Sequence, residues 1–206
     1  MKRARTRKAK DARIQLLLDA ALAEFVERGF SAARMDDIAA RANLSKGTLY
    51  IYFDSKEALF NGLIDAVALP KLDQIRRLVA TSTSFEEALT ILAKFAEATI
   101  RESTLPRLVK VLIGESNNFP ETVQRYRSKV LDRILAVFAE LLRNADARGE
   151  ISVSDPALTA RLVVSPIIFS ALWHVVFTRK DETEVDLAAL FSLHGQILCK
   201  ALINSE

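Results

Sequence analysis

The hydrophobic positions of this chain recur at helical spacing almost from end to end. Over residues 11–28, Ile14, Leu17, Leu18, Ala21 and Phe25 fall at i, i+3, i+4, i+7 and i+11, one face of a helix that Gly29 should stop. The spacing next predicts two short helices about a three-residue turn in 36–53, DDIAARANLSKGTLYIYF. Ile38, Ala39 and Ala42 form the apolar face of the first, and the small Ala39 lets another helix cross closely. Asn43 stands where the chain must leave that helix, and asparagine tolerates the left-handed backbone needed there. Leu44 can fill the corner, Ser45 can cap the second helix, and Leu49 and Phe53 can hold it to the core. Such a pair is a helix-turn-helix, and it points to sequence-specific DNA binding.

The outward face of the second helix carries Lys46, Thr48, Tyr50 and Tyr52, side chains suited to phosphates and base edges. Gly47 adds no side chain and permits close approach to DNA. Lys46, Thr48 and Tyr50 are expected at base edges or nearby phosphates, beside Ser45 and Gly47. Tyr52, Lys56 and Arg34 are expected at phosphates. A helical hairpin with a merely polar edge is the plainer alternative.

The following residues carry a family resemblance. Phe25 with Gly29-Phe30, then Asp36 to Ala42, then Ser45 to Phe60 match FxxxGF, DDIAxxA and SKGTLYxYFxSKExLF with their spacings intact. This stretch resembles the N-terminal domain of the tetracycline-repressor (TetR) family. The resemblance implies a dimer whose N-terminal helices bind an operator and whose C-terminal helices bind a small ligand that releases the DNA. One departure is Ala33-Arg34, where the family usually has a hydroxyl residue before the second helix. The lost cap is worth about 1 kcal/mol.

A fourth helix should begin at the Ser55 cap and run toward Val79 with Pro70 inside it. Proline should kink or split it, as either a hinge or a simple packing bend. Five further helical segments follow. Ser84 and Glu87 form a capping-box pattern, Pro106 and Pro120 sit near helix starts, and Asp155-Pro156 opens another helix. Residues 120–148 carry two apolar stripes and should lie centrally, and the last helix should run from about Thr183 to Leu202. Strand-like alternation, a glycine-rich phosphate loop and internal repeats are all missing from the sequence. The expected fold is all-α: a three-helix DNA-binding domain over 1–56, then a helical bundle over 57–206, about nine helices in all.

The last two helices need a partner for their apolar surface. Ala160, Val163, Val164, Ile167, Ile168, Ala171, Val175 and Val176 cover most of one, and Leu187, Leu190, Phe191, His194, Ile197 and Leu198 a broad face of the other. A homodimer through this pair is expected, reading an inverted repeat. The most apolar stretch, Leu162 to Phe177, is sixteen residues long. That is short of the roughly 20 residues a bilayer requires, so it is expected to be a buried helix, with no membrane partner.

Charge separates the two regions. Residues 1–56 hold 12 Lys and Arg against 7 Asp and Glu, a net of +5, and residues 57–206 hold 17 against 19, a net of −2. Six of the cations lie in MKRARTRKAK, expected to stay disordered until it meets a polyanion such as DNA, or to serve only as a solubilising tail. A lone Cys199 excludes an internal disulfide and fits a reducing cytoplasm. An enzyme is the competing class, but two His and one Cys supply no catalytic or metal-ligand spacing, and His194 and Cys199 do not share a helix face. No cofactor or metal is expected.

Aromatic residues concentrate in the central helices. Phe95, Leu112, Tyr126, Phe138, Phe169, Trp173 and Phe177 are the candidate walls for an apolar or aromatic effector with one or two polar groups, or else ordinary core. Pro166 leaves the Leu162 carbonyl without its donor and should open a gap, and His174 should satisfy a buried carbonyl or else donate to a ligand. Residues 107–151 look like the C-terminal domain of a TetR subgroup that includes repressors of multidrug-efflux and quorum-related genes, which implies induction by a hydrophobic small molecule. The same sequence suits an activator of that family, or a helical dimerisation protein that reads no DNA sequence.

Overall fold

The computed structural model describes residues 2–179 and 184–203, with side chains from Lys8 onward. Nine continuous helices occur among the described residues, and no strand; an isolated bridge joins Ile151 to Ile203. Helix α1 is Lys2–Arg28, α2 is Met35–Arg41 and α3 is Lys46–Tyr52. Helix α4 (56–81) joins Lys56–Leu63 to Leu69–Thr81 through a π-turn at Ile64–Ala68. Phe85–Glu102 is α5 and Leu105–Gly114 is α6. Helix α7 (120–147) likewise joins Pro120–Tyr126 to Asp132–Ala147 through a π-turn at Arg127–Leu131. Helix α8 is Pro156–Leu172 with a closing π-turn at Trp173–Phe177, and α9 is Leu187–Leu202.

The chain divides into two compact units. The first comprises 1–68 and 107–125, and the second 69–106 and 126–206. Its core in the first unit is built from Leu17, Phe25, Ile38, Leu49, Leu59 and Leu63, all at most 1% exposed. In the second, α7 packs against α8, α5 and the latter part of α4, and α9 lies along α5. Phe85, Ala88, Leu92, Phe138, Leu142, Ile151 and Ala160 are buried there.

Local chemistry sets the element ends as expected. Gly29 has φ 79°, which glycine alone adopts without cost, and Asn43 has φ 54° at the exit of α2. Asp155 accepts from the amides of Ala157 and Leu158, with Pro156 as the first residue of α8. Ser84 accepts from Glu87 N, but the Glu87 carboxylate turns back to the amide and hydroxyl of Thr83, one residue before the cap.

Five expectations are corrected. The basic arm continues α1 as helix from Lys2, because Lys, Arg and Ala are strong helix formers and no Gly or Pro separates them from the apolar stripe. Pro70 does not split α4: the π-turn before it lengthens the hydrogen-bond register, and the helix runs on to Thr81. The last helix begins at Leu187 under an Asp186 cap, and Thr183 lies outside the described residues. Residues 162–177 are not a buried helix. They belong to a 22-residue helix, Pro156–Phe177, long and apolar enough to cross a membrane, of whose most apolar window only 22% is buried. Periodicity showed that nearly all its circumference was apolar, but its own chain covers only the Ala160–Val163–Val164 side. The expected domain boundary after residue 56 falls inside α4, whose Leu59, Phe60 and Leu63 are buried in the first unit.

Candidate nucleic-acid interface

Helices α2 and α3 pack on one another and α2 on α1, leaving one side of α3 to solvent. Ser45 caps α3 by accepting from Thr48 N at 3.1 Å, and its hydroxyl lies 2.8 Å from Thr48 Oγ1. Arg34 stands at the start of α2 with no side-chain cap, as expected from the missing hydroxyl residue. Leu49 is fully buried and anchors α3. Lys46, Gly47, Tyr50 and Arg34 are exposed, and Thr48 and Tyr52 are half-buried.

Lys46 is already paired. Its ammonium lies 2.7 Å from Asp36 Oδ1 and 3.0 Å from Oδ2, and 5.9 Å from the centre of the Tyr50 ring. The hydrogen bond that Lys46 donates to Asp36, reinforced by the carboxylate's charge, raises the Lys46 pKa. A carboxylate on α2 thus tethers a cation of the recognition face. Ile51 was missed by sequence reasoning: at 78% exposed it is the most open large apolar side chain of α3. Its place four residues after Gly47 was the available signal, and a methyl-bearing side chain there suits the thymine C5-methyl.

Lys56 is occupied elsewhere. It donates to the carbonyls of Phe30 and Ser31, both at 2.9 Å, and its ammonium lies 5.2 Å from the centre of the Phe30 ring. From the other side of this turn, Ser31 donates through N at 3.3 Å and Oγ at 2.9 Å to the Glu115 carboxylate, which also receives Asn118 Nδ2 at 2.9 Å. Phe30 meets Phe25, Phe60 and Phe119 at centroid distances of 4.8, 5.5 and 4.4 Å. The α1–α2 turn is therefore held by residues from α4 and from the 107–125 segment.

Hydrogen bonds from Asn118 first, then Ser31, hold the Glu115 carboxyl below its ordinary 4.5. A depressed carboxyl stabilises the fold above its ordinary pKa and loses that contribution as pH falls through the lower folded value. Stability relative to Glu115→Gln is expected to be largest near neutrality and to shrink on acidification. Urea midpoints of both proteins between about pH 6 and about pH 3 check this; a gap independent of pH would remove the assignment.

The expected ligand-wall residues occupy different settings. Leu112 is buried in the first unit. In the second, Phe138 is core, and Phe95 packs against that core under the Lys71 ammonium at 5.5 Å. Tyr126 is buried, which pushes its hydroxyl up to about 12. Phe169, Trp173 and Phe177 come together, with successive centroid distances of 5.9 and 5.3 Å on the exposed side of α8. His174 does not cap a buried carbonyl: it has no hydrogen-bond partner among the described residues, whereas His194 Nε2 lies 3.2 Å from Val163 O.

Residues 17–63 match the family described as bacterial regulatory proteins of the tetR family, and residues 87–189 match the AefR-like transcriptional repressor C-terminal domain. The chain belongs to the TetR family of transcriptional regulators. Among its relatives, UidR of Escherichia coli is 30% identical over 153 residues, covering 72% of this chain and 74% of that one. Among solved structures, SmeT in complex with triclosan has a TM-score of 0.79 at 19% identity, covering 94% of this chain and 93% of the other. FadR of Bacillus subtilis in complex with stearoyl-CoA has a TM-score of 0.74 at 20% identity, covering 90% and 97%. These relatives and fold neighbours are regulators rather than enzymes. TetR-family membership fits the three-helix N-terminal arrangement and the helical C-terminal region.

Proposed function

We propose that this TetR-family protein is a dimeric, ligand-responsive repressor that binds an inverted-repeat operator and is released by a small hydrophobic molecule. The observation that carries the reading is the exposed face of α3, where Lys46, Gly47, Tyr50 and Ile51 surround a buried Leu49 anchor. Thr48, Ser45 and Tyr52 flank these residues, and Arg34 reaches phosphate from the start of α2. Lys56 acts indirectly, by fixing the turn before α2.

Dimerisation is supported by the exposed apolar residues of the last two helices, among them Leu158 at 61%, Leu162 at 66%, Leu193 at 54% and Ile197 at 56%. An apolar surface of this kind is covered in solution, and a second copy related by a two-fold axis supplies the same surface in return. Two recognition helices then stand about 34–36 Å apart, one turn of duplex. A cytoplasmic regulator follows from this reading. Ligand release requires unequal affinity for the two states, and a coupling of about 1–3 kcal/mol changes operator affinity by about 5- to 150-fold.

The test is binding to the upstream DNA of the protein's own gene and to a scrambled duplex, over a salt series. The expected preference is about 10³-fold or more, with affinity falling steeply as salt rises. Equal weak binding to every genomic fragment would remove the reading. Triclosan and stearoyl-CoA, which SmeT and FadR bind, are the first release probes. An activator of the same family would bind with equal specificity and raise transcription from the bound site.

The Asp36 tether gives a finer expectation. With Asp36→Asn, Lys46 is free to neutralise a phosphate, so affinity for scrambled DNA should rise roughly two- to fivefold. The slope of log affinity against log salt should steepen by about 0.9. The specificity ratio falls in consequence. Unchanged slope and affinity would mean that Lys46 does not meet the duplex.

A further inference from the structure

We propose that the end of α8 holds an effector site for small, uncharged aromatic molecules of one or two rings with a single hydroxyl or carbonyl. The inference rests on the ligand-responsive reading and narrows it to one cavity in the second unit. That cavity has a volume of about 250 Å³, and Phe169, Trp173 and Leu190 line it together with Arg101, Glu184 and His174.

The helix itself builds the aromatic wall. Pro166 has no amide hydrogen to give the Leu162 carbonyl, and the helix closes in π register over Trp173–Phe177. The Phe169 and Trp173 rings, inclined at 52°, both line this cavity. Removing such rings from water is favourable, and a flat aromatic partner can pair with them face to edge.

The polar groups define the rest of the ligand. Arg101 Nη1 donates to Glu184 Oε2 at 2.6 Å and Arg101 Nη2 to Val185 O at 3.3 Å. These two opposite charges offset one another in the wall, and Arg101 Nε also lies 3.5 Å from Glu97 Oε1. An anionic ligand must displace Glu184 to reach the guanidinium, and a cationic one must displace Arg101, whereas an uncharged ligand leaves the pair intact. The His174 ring, without a partner among the described residues, can give or take one hydrogen bond. The volume lies just below the roughly 300–1,000 Å³ of sites for drug-sized molecules, which limits the ligand to one or two rings.

Trp173 is the chain's single tryptophan and lines this cavity, so its fluorescence reports on it. The full-length protein is titrated with para-phenylphenol, para-biphenylcarboxylate and para-biphenylmethylammonium, three probes of one shape and different charge. Binding is followed by equilibrium dialysis and by Trp173 emission. The phenol is expected to bind saturably at one per chain with a change in emission, and both charged probes at least about tenfold more weakly. Glu184→Gln should improve the carboxylate, and Arg101→Gln the ammonium, each by at least about tenfold. Both side chains are partly exposed, at 51% and 34%, so neither variant disturbs a core.

No saturable phenol binding, binding that leaves Trp173 emission unchanged, or a charge preference that neither variant alters would overturn the site. Operator binding in the same samples is a separate reading. A phenol that fills the cavity while the operator stays bound leaves the site standing and removes its effector role. Operator release with unchanged Trp173 emission does the reverse.

Discussion

Phe30→Ala is expected to destabilise the protein by about 3–5 kcal/mol, the usual cost of removing a buried phenyl ring. Phe30 is 2% exposed and touches three other rings, one each from α1, α4 and the segment beyond α6. Those neighbours belong to different helices, so they cannot all close on the space at once, and the cavity term stays large. Phe30→Leu retains most of the volume and loses only the ring pairing, a cost of about 1 kcal/mol. Urea unfolding followed at matched m-value measures both. A loss below about 1 kcal/mol for the alanine variant would mean that the turn is held by Lys56 and Glu115 without the ring.

Glu24→Ala should cost about 2–3 kcal/mol, less than a fully buried ion pair because its arginines are partly solvated. The Glu24 side chain is 2% exposed, with Arg28 Nε at 2.8 Å and Arg41 Nε at 3.1 Å. Arg41 also grips Glu27, and Arg28 reaches Asp37 at 3.2 Å. The cluster joins the last turns of α1 to α2, the helix against which α3 rests. Loss of Glu24 therefore leaves two guanidiniums beside an empty buried site and loosens the support of the recognition helix. Operator affinity should fall together with stability, and Glu24→Gln should recover part of both through its remaining acceptor. An alanine variant with wild-type urea midpoint and operator affinity would show that the cluster is solvated and idle.

What could be read from the sequence followed from how local its causes are. Gly29, Asn43, Ser45 and Asp155 act on neighbours within a few residues, so their roles at the element ends were visible, as was the missing cap at Arg34. Partners distant in sequence were not. Lys56 looked like a phosphate ligand because nothing near it foretold two carbonyls 25 and 26 residues earlier. The Ser31–Glu115 bond spans 84 residues and joins two segments that periodicity treats separately. The π-turns have no side-chain signature, only a shift of register next to Pro70 and beyond Pro166. Among the aromatic candidates, spacing identified apolar faces correctly. It could not tell Phe138, covered by its own chain, from Phe169, which is not.

The helical start of α1 changes how far the N-terminus can extend. As helix, Lys2 to Lys10 advances only about 14 Å at 1.5 Å per residue. The same nine residues drawn out would span about 30 Å, enough to follow a groove around the duplex. A chain that begins in helix must therefore give up its first turns, and their hydrogen bonds, before it can wrap. Substituting proline within those turns would lengthen the arm without altering a single charge.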